Sequence, residues 1–278
     1  MRLDAHQHFW HYDPARDTWI TDEMAVLKRD FLPDELRVEL EANRVDGSIA
    51  VQAAQSEEET RFLLDLASRH PFIKGVIGWV DLCAEDISER LARFSREEKL
   101  CGFRHIVQAE PDDRFMLRDD FSRGIAALKE FGFTYDILIY ERQLPAAIEL
   151  VERHPEQRFI LDHIAKPRIR ERIISPWAER IRAIARHPNV YCKVSGLVTE
   201  ADWRGWRRDD FRPYLDVVFE AFGPERVMFG SDWPVCLLAA SYRQVVELIE
   251  TYMESLTVEE KAGIFGKNAA RVYGVKPD

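Results

Sequence analysis

The residues best suited to chemistry stand at the start of the sequence, in Leu3-Asp4-Ala5-His6-Gln7-His8, where two histidines are separated by one position. Side chains of an extended strand alternate between its faces, so a strand over residues 2–8 is expected to place Asp4, His6 and His8 on one face and Leu3, Ala5 and Gln7 on the other. Same-face residues lie roughly 6.5–7 Å apart at Cα, close enough for both imidazoles to reach one metal ion or one substrate atom. A buried strand face would ordinarily carry Val, Ile or Leu instead.

Of the eight histidines, His70, His154 and His187 each occur in Arg-His-Pro. There the proline stops a helix and a basic side chain faces the negative end of the helix dipole, which is a structural role. His163 differs, because it closes the apolar run Phe159-Ile160-Leu161 within Leu-Asp-His-Ile-Ala-Lys-Pro. Asp232 closes a second apolar run, Val227-Met228-Phe229-Gly230-Ser231-Asp232, with Gly230 leaving space beside it. A carboxylate in that setting needs a partner or a chemical task. His6, His8, His163 and Asp232 together have the composition of a one-metal site or of a metal-free acid–base cluster.

The elements that must position these groups alternate along the chain. Strands are expected near residues 2–8, 46–53, 73–81, 102–108, 134–140, 158–163, 190–196 and 226–232. Helices are expected over 34–44, 56–68, 86–99, 120–131, 143–153, 176–186, 210–222, 241–254 and 257–273, the second and the last opened by the capping boxes Ser56–Glu59 and Thr257–Glu260. Eight strands alternating with helices imply an α/β protein, a (β/α)8 TIM-type barrel forming a single domain over 1–278. In that fold the strand C-termini gather at the catalytic face, and the Arg-His-Pro turns fall at the opposite end. The first strand ends in His-Gln-His and not in G-x-G-x-x-G, which argues against a dinucleotide fold.

With 39 Lys and Arg against 49 Asp and Glu, the formal charge is −10, which argues against general nucleic-acid binding. No apolar run of about 18 residues and no signal peptide is read, so no membrane association is expected and the default location is cytoplasmic. Four cysteines without C-x-x-C spacing read as reduced thiols. Self-association into a homo-oligomer is left open.

The sequence resembles the amidohydrolase superfamily, in its amidohydrolase-related group that contains sugar-lactone hydrolases. The likeness rests on Asp4-Ala5-His6-Gln7-His8-Phe9-Trp10, Gly102-Phe103-Arg104-His105, Leu161-Asp162-His163-Ile164-Ala165-Lys166-Pro167, Lys193-Val194-Ser195-Gly196-Leu197, Gly230-Ser231-Asp232-Trp233-Pro234 and Ile264-Phe265-Gly266-Lys267-Asn268-Ala269. The opening looks most like that of the L-fucono- and L-rhamnonolactonase members. The resemblance implies a central site of His6, His8, His163 and Asp232. Binuclear relatives add a carboxylated lysine or Glu on strand four and a His on strand five, where this chain has Arg104, His105 and Gln108, and Tyr140. One divalent ion at most is therefore implied, Zn or another metal, with metal-independent catalysis as the other option.

The implied reaction is hydrolysis of a sugar-acid lactone such as an L-fuconolactone, a small-molecule substrate, with Asp232 as general base and His163 beside it. Arg104, His105, Lys166 and Tyr140 are the expected substrate-binding residues, and Arg104, Lys166, Tyr140 and Lys193 have plain structural alternatives. Among Trp10, Trp19, Trp203, Trp206 and Trp233, one or two are expected to stack on a sugar ring and the others to pack. The alternative activity is metal-dependent decarboxylation of a small aromatic or unsaturated acid.

Overall fold

In the computed structural model, which describes residues 1–276, eight parallel strands lie side by side in chain order: β1 (Leu3–Gln7), β2 (Gly47–Val51), β3 (Ile73–Gly78), β4 (Leu100–His105), β5 (Thr134–Ile137), β6 (Phe159–Leu161), β7 (Val190–Val194) and β8 (Val227–Phe229). The sheet closes on itself just past its last strand. Asp232 N–H donates to the His6 carbonyl at 2.8 Å, His8 N–H donates to the Trp233 carbonyl at 2.7 Å, and Gln7 bridges Trp233 in parallel. Helices follow the strands and cover the outside, as the alternation of elements requires for a (β/α)8 barrel. The expected capping box at Thr257–Glu260 is built in full, whereas at Ser56 only half of it forms: Ser56 Oγ accepts from Glu59 N–H, but the Glu59 carboxylate turns back to accept from the Ala53 and Ala54 N–H groups.

Two apolar layers form because each strand is buried on both faces. Outward-facing Phe103, Tyr135, Ile137, Phe159, Leu161, Val190 and Phe229 pack under the helices. Leu3, Ala5, Ile49, Val51, Ile77, Ile160 and Met228 fill the barrel and meet Ala269, Val272 and Tyr273 of the last helix, Asn268–Tyr273, which seals the end away from the strand C-termini. Asn268 Nδ2 donates to the Val227 and Pro224 carbonyls, both at 2.7 Å, fixing that seal to the start of β8. His70 and His154 sit at helix C-caps, as Arg-His-Pro implies.

Three expectations are corrected. The strands stop short of the polar residues assigned to their ends, because pairing ceases at Gly78, His105, Ile137, Leu161, Val194 and Phe229 and the following residues turn over the barrel mouth. The helix expected over 257–273 is broken into Val258–Ala262 and Asn268–Tyr273 by a wide turn at Gly263–Lys267. Gly266 has φ +158° there, and a Cβ on it would lie 2.5 Å from the Met1 carbonyl, so the chain passes too close for a side chain.

The third concerns β1, where strict alternation fails. The register against β2 slips between Asp4 and Gln7. As a result Leu3 and Ala5 belong to the barrel interior, His6 also turns inward, and Asp4 points the other way, toward Ser231 and Tyr242. A bulge of this kind re-aims side chains beside a site.

Candidate active site

His6, His8, His163 and Asp232 converge at the mouth of the barrel. His6 Nε2 lies 3.2 Å from His8 Nε2, and Asp232 Oδ1 lies 3.4 Å from His8 Nε2, 3.9 Å from His6 Nε2 and 4.0 Å from His163 Nε2. All four side chains are buried. His8 Nδ1 is 2.7 Å from the Val51 carbonyl, which only accepts, so the proton of a neutral His8 sits on Nδ1 and the Nε2 lone pair faces the cluster. His163 Nδ1 is held by Ser195 Oγ at 2.8 Å, again leaving Nε2 toward Asp232.

Local backbone geometry explains how these groups reach one point. His163, Ile164, Ala165 and Lys166 all have positive φ, between +47° and +59°, forming a left-handed turn after β6 that lays the His163 ring over the mouth. Such residues cost roughly 1–2 kcal/mol each and persist where surrounding structure over-determines them. Here the Lys166 N–H donates to the His163 carbonyl at 2.8 Å and the Trp177 indole donates to the Ile164 carbonyl at 2.7 Å. Gly196, at φ +61°, leaves room for the ring, because a Cβ there would come within 2.6 Å of His163 Nδ1. Gly230 does the same for His6, with a hypothetical Cβ 2.6 Å from His6 Cβ.

Beneath the cluster lies a layer of buried charges. Arg104 Nη1 meets Asp162 Oδ2 at 3.0 Å, Lys193 Nζ meets Asp162 Oδ1 at 3.1 Å and Asp136 Oδ2 at 2.5 Å, and the Tyr273 hydroxyl donates to Asp136 Oδ2 at 2.8 Å. Burial pushes His6 and His163 well below the usual histidine range, so both are neutral near pH 7. Burial alone would raise Asp162 and Asp232. The Lys193 ammonium and the Arg104 guanidinium instead hold Asp162 well below the ordinary carboxylate value, and the Lys166 ammonium is among the groups that hold Asp232 below it, so both are ionised.

A cavity of about 280 Å³ opens onto the cluster, walled by His8, Arg104, His163, Lys166 and Asp232 together with Trp10, Trp19, Gln55, Gln108, Leu138 and Val235. A larger cleft of about 630 Å³ adjoins it and shares Lys166; Tyr140, Glu200 and Trp203 line that cleft. Arg104 thus reaches the site, and His105 does not. Adjacent residues on β4 face opposite ways, and His105 is turned outward against Glu110 at 2.7 Å, Trp79 at 3.4 Å and the Phe115 ring, stacked at 4.9 Å. Tyr140 stands in the neighbouring cleft and not in the cavity over the histidines. Trp10 and Trp19 face the cavity, whereas Trp233 packs against Phe9 and Phe31.

Asp136 and Asp162, with Gln52, whose backbone carbonyl takes Arg104 Nη2, were missed as candidates. Asp136 could have been found by its signal, a carboxylate inside the apolar strand Thr134–Ile137.

The donor set suits one cation. Imidazole Nε2 atoms and a carboxylate oxygen face one another, and the 3.2–4.0 Å spacings approach the roughly 3.3–3.6 Å expected between ligands of a tetrahedral ion bound at about 2.0–2.2 Å.

The family model described as "Amidohydrolase" matches residues 3–275. The chain is 46% identical over 286 residues to an L-fucono-1,5-lactonase of Burkholderia multivorans, covering 99% of this chain and 96% of the relative. It is 36% identical over 281 residues to an L-fucono-1,5-lactonase of Burkholderia ambifaria, with the same coverage of 99% and 96%. The crystal structure of an amidohydrolase from Burkholderia multivorans with bound zinc superposes with a TM-score of 0.96 at 46% identity, covering 99% of this chain and all of that one.

Proposed function

Because the chain belongs to the amidohydrolase family, whose model spans residues 3–275, we propose that it hydrolyses a sugar-acid lactone of the L-fucono-1,5-lactone type to the free acid. The observation that carries this reading is a cavity with room for about one sugar ring, into which an ionised carboxylate, two imidazoles and a guanidinium point together, in a chain 46% identical along its length to a lactonase.

In this mechanism Asp232 accepts a proton from the attacking water as the water oxygen adds to the lactone carbonyl carbon. Negative charge then gathers on the former carbonyl oxygen, and the buried Arg104 guanidinium at the cavity wall stabilises it. When the ring C–O bond breaks, Asp232 returns the proton to the leaving alkoxide. Lys166, at the boundary between cavity and cleft, and the two tryptophans hold the sugar hydroxyls and ring. His105 has no place in this site, and Tyr140 contacts only groups that extend into the cleft. His6, His8, His163 and Asp232 would hold one divalent ion such as zinc, which would supply a Lewis acid at the carbonyl.

A pH-indicator screen of five- and six-membered aldonolactones tests this reading. Acid release is expected, fastest with the L-fucono-1,5-lactone. Asp232→Asn should lower kcat by about 10²- to 10⁴-fold while lactone binding persists. Release of CO₂ from aromatic acids without turnover of any lactone would overturn the proposal in favour of the decarboxylase.

A further inference from the structure

Arg104 and a metal ion require the same electron pair. Arginine only donates hydrogen bonds, and Arg104 Nη1 lies 3.2 Å from His6 Nε2, so in this contact the nitrogen is the acceptor. On the opposite edge of the ring, Nδ1 stands 3.4 Å from Asp162 Oδ1 and 3.3 Å from Lys193 Nζ; the ammonium already has Asp136 and Asp162 as acceptors, which leaves the Nδ1 proton to Asp162 when Nε2 accepts from Arg104. The guanidinium is held on its other sides as well, by Asp162 Oδ2 at 3.0 Å and by the Gln52 carbonyl, and is 3% exposed. Yet His6 Nε2 is also the atom that stands 3.2 Å from His8 Nε2 and 3.9 Å from Asp232 Oδ1, where an ion would bind. One sp² lone pair cannot serve both cations, and a guanidinium beside a divalent ion repels it.

We propose that Arg104 is a built-in competitor for the metal. In the metal-free chain its guanidinium occupies the ligand position of His6, and an ion of the zinc class binds only when that hydrogen bond is given up. Arg104 therefore sets the metal affinity of the site, and the metal-free site keeps a cation beside the lactone. The inference rests on His6, His8, His163 and Asp232 being an ion site, so its test must separate the two ideas.

Zinc affinity, measured by equilibrium competition with a chromophoric chelator, should be about tenfold or more tighter in Arg104→Met than in the unaltered chain. Asp162 keeps Lys193 as a partner at 3.1 Å in that variant, and its folding is checked by circular dichroism. Tighter binding, or binding by the variant alone, supports the competition. Equal or weaker binding by a folded variant overturns it while leaving the ion site intact, and failure of both proteins to bind zinc overturns both ideas. Should the variant not fold, the guanidinium protons of Arg104 in the unaltered chain decide. They should lose protection from exchange when zinc saturates the site, and unchanged protection rejects the proposal.

Discussion

At the scale of single residues, the chemistry depends on charges that never meet water. Lys193 is fully buried between Asp136 and Asp162, with its ammonium 5.4 Å from the centre of the Tyr273 ring. Removing one partner of such a cluster leaves uncompensated charge, so Lys193→Met should cost about 3–5 kcal/mol in urea unfolding. A smaller loss would mean that the carboxylates take up protons instead. His6, His8, His163 and Asp232 were legible because reactive residue types closing apolar strands have few bland explanations. The charged layer beneath them was not, since its members are single residues on, or just past the end of, four different strands and their proximity exists only once the barrel closes. The outward turn of His105 was equally hidden, because sequence does not say which of two neighbouring strand residues faces the axis.

Elements place these groups through backbone departures that composition does not reveal. The slip of β1 against β2 and the left-handed turn His163–Lys166 are both built without glycine, so no turn signal marks either one. Eight alternating elements, the Ser56 cap and the Thr257–Glu260 capping box were readable because they rest on local periodicity and local hydrogen bonds. The broken final helix was not, as its interruption follows from the passage of Gly266 over Met1 and Leu3. Glycines that make space are testable in the same terms. Gly230→Ala forces a methyl group against His6, and should lower stability by about 1–3 kcal/mol and reduce lactone turnover more than lactone binding. Full activity in this variant would show that His6 tolerates displacement.

For the molecule as a whole, the seam between β1 and β8 joins the site to global stability. Asp4 crosses it, accepting from Ser231 N–H at 2.8 Å, Ser231 Oγ at 2.5 Å and the Tyr242 hydroxyl at 3.1 Å. Burial raises its pKa from 3.8 to about 6 despite these donors. The folded chain therefore binds more protons than the unfolded chain between those values, and the Asp4 contribution to stability falls as pH rises through that window, by about 3 kcal/mol at most. Urea unfolding from about pH 4 to about pH 7 should show this slope in the unaltered chain relative to Asp4→Asn, and a constant difference between the two would refute it. The same seam has a consequence in time. Asp4 and Ser231 are 227 residues apart, so a ribosome adding roughly 5–20 residues per second needs on the order of 10–45 s to make the second after the first. Throughout that interval the nascent sheet carries an open edge, a ready template for wrong pairing. Arrival of β8 closes that edge and delivers Asp232 to the histidines in one event, so protection from aggregation and the capacity for catalysis begin together.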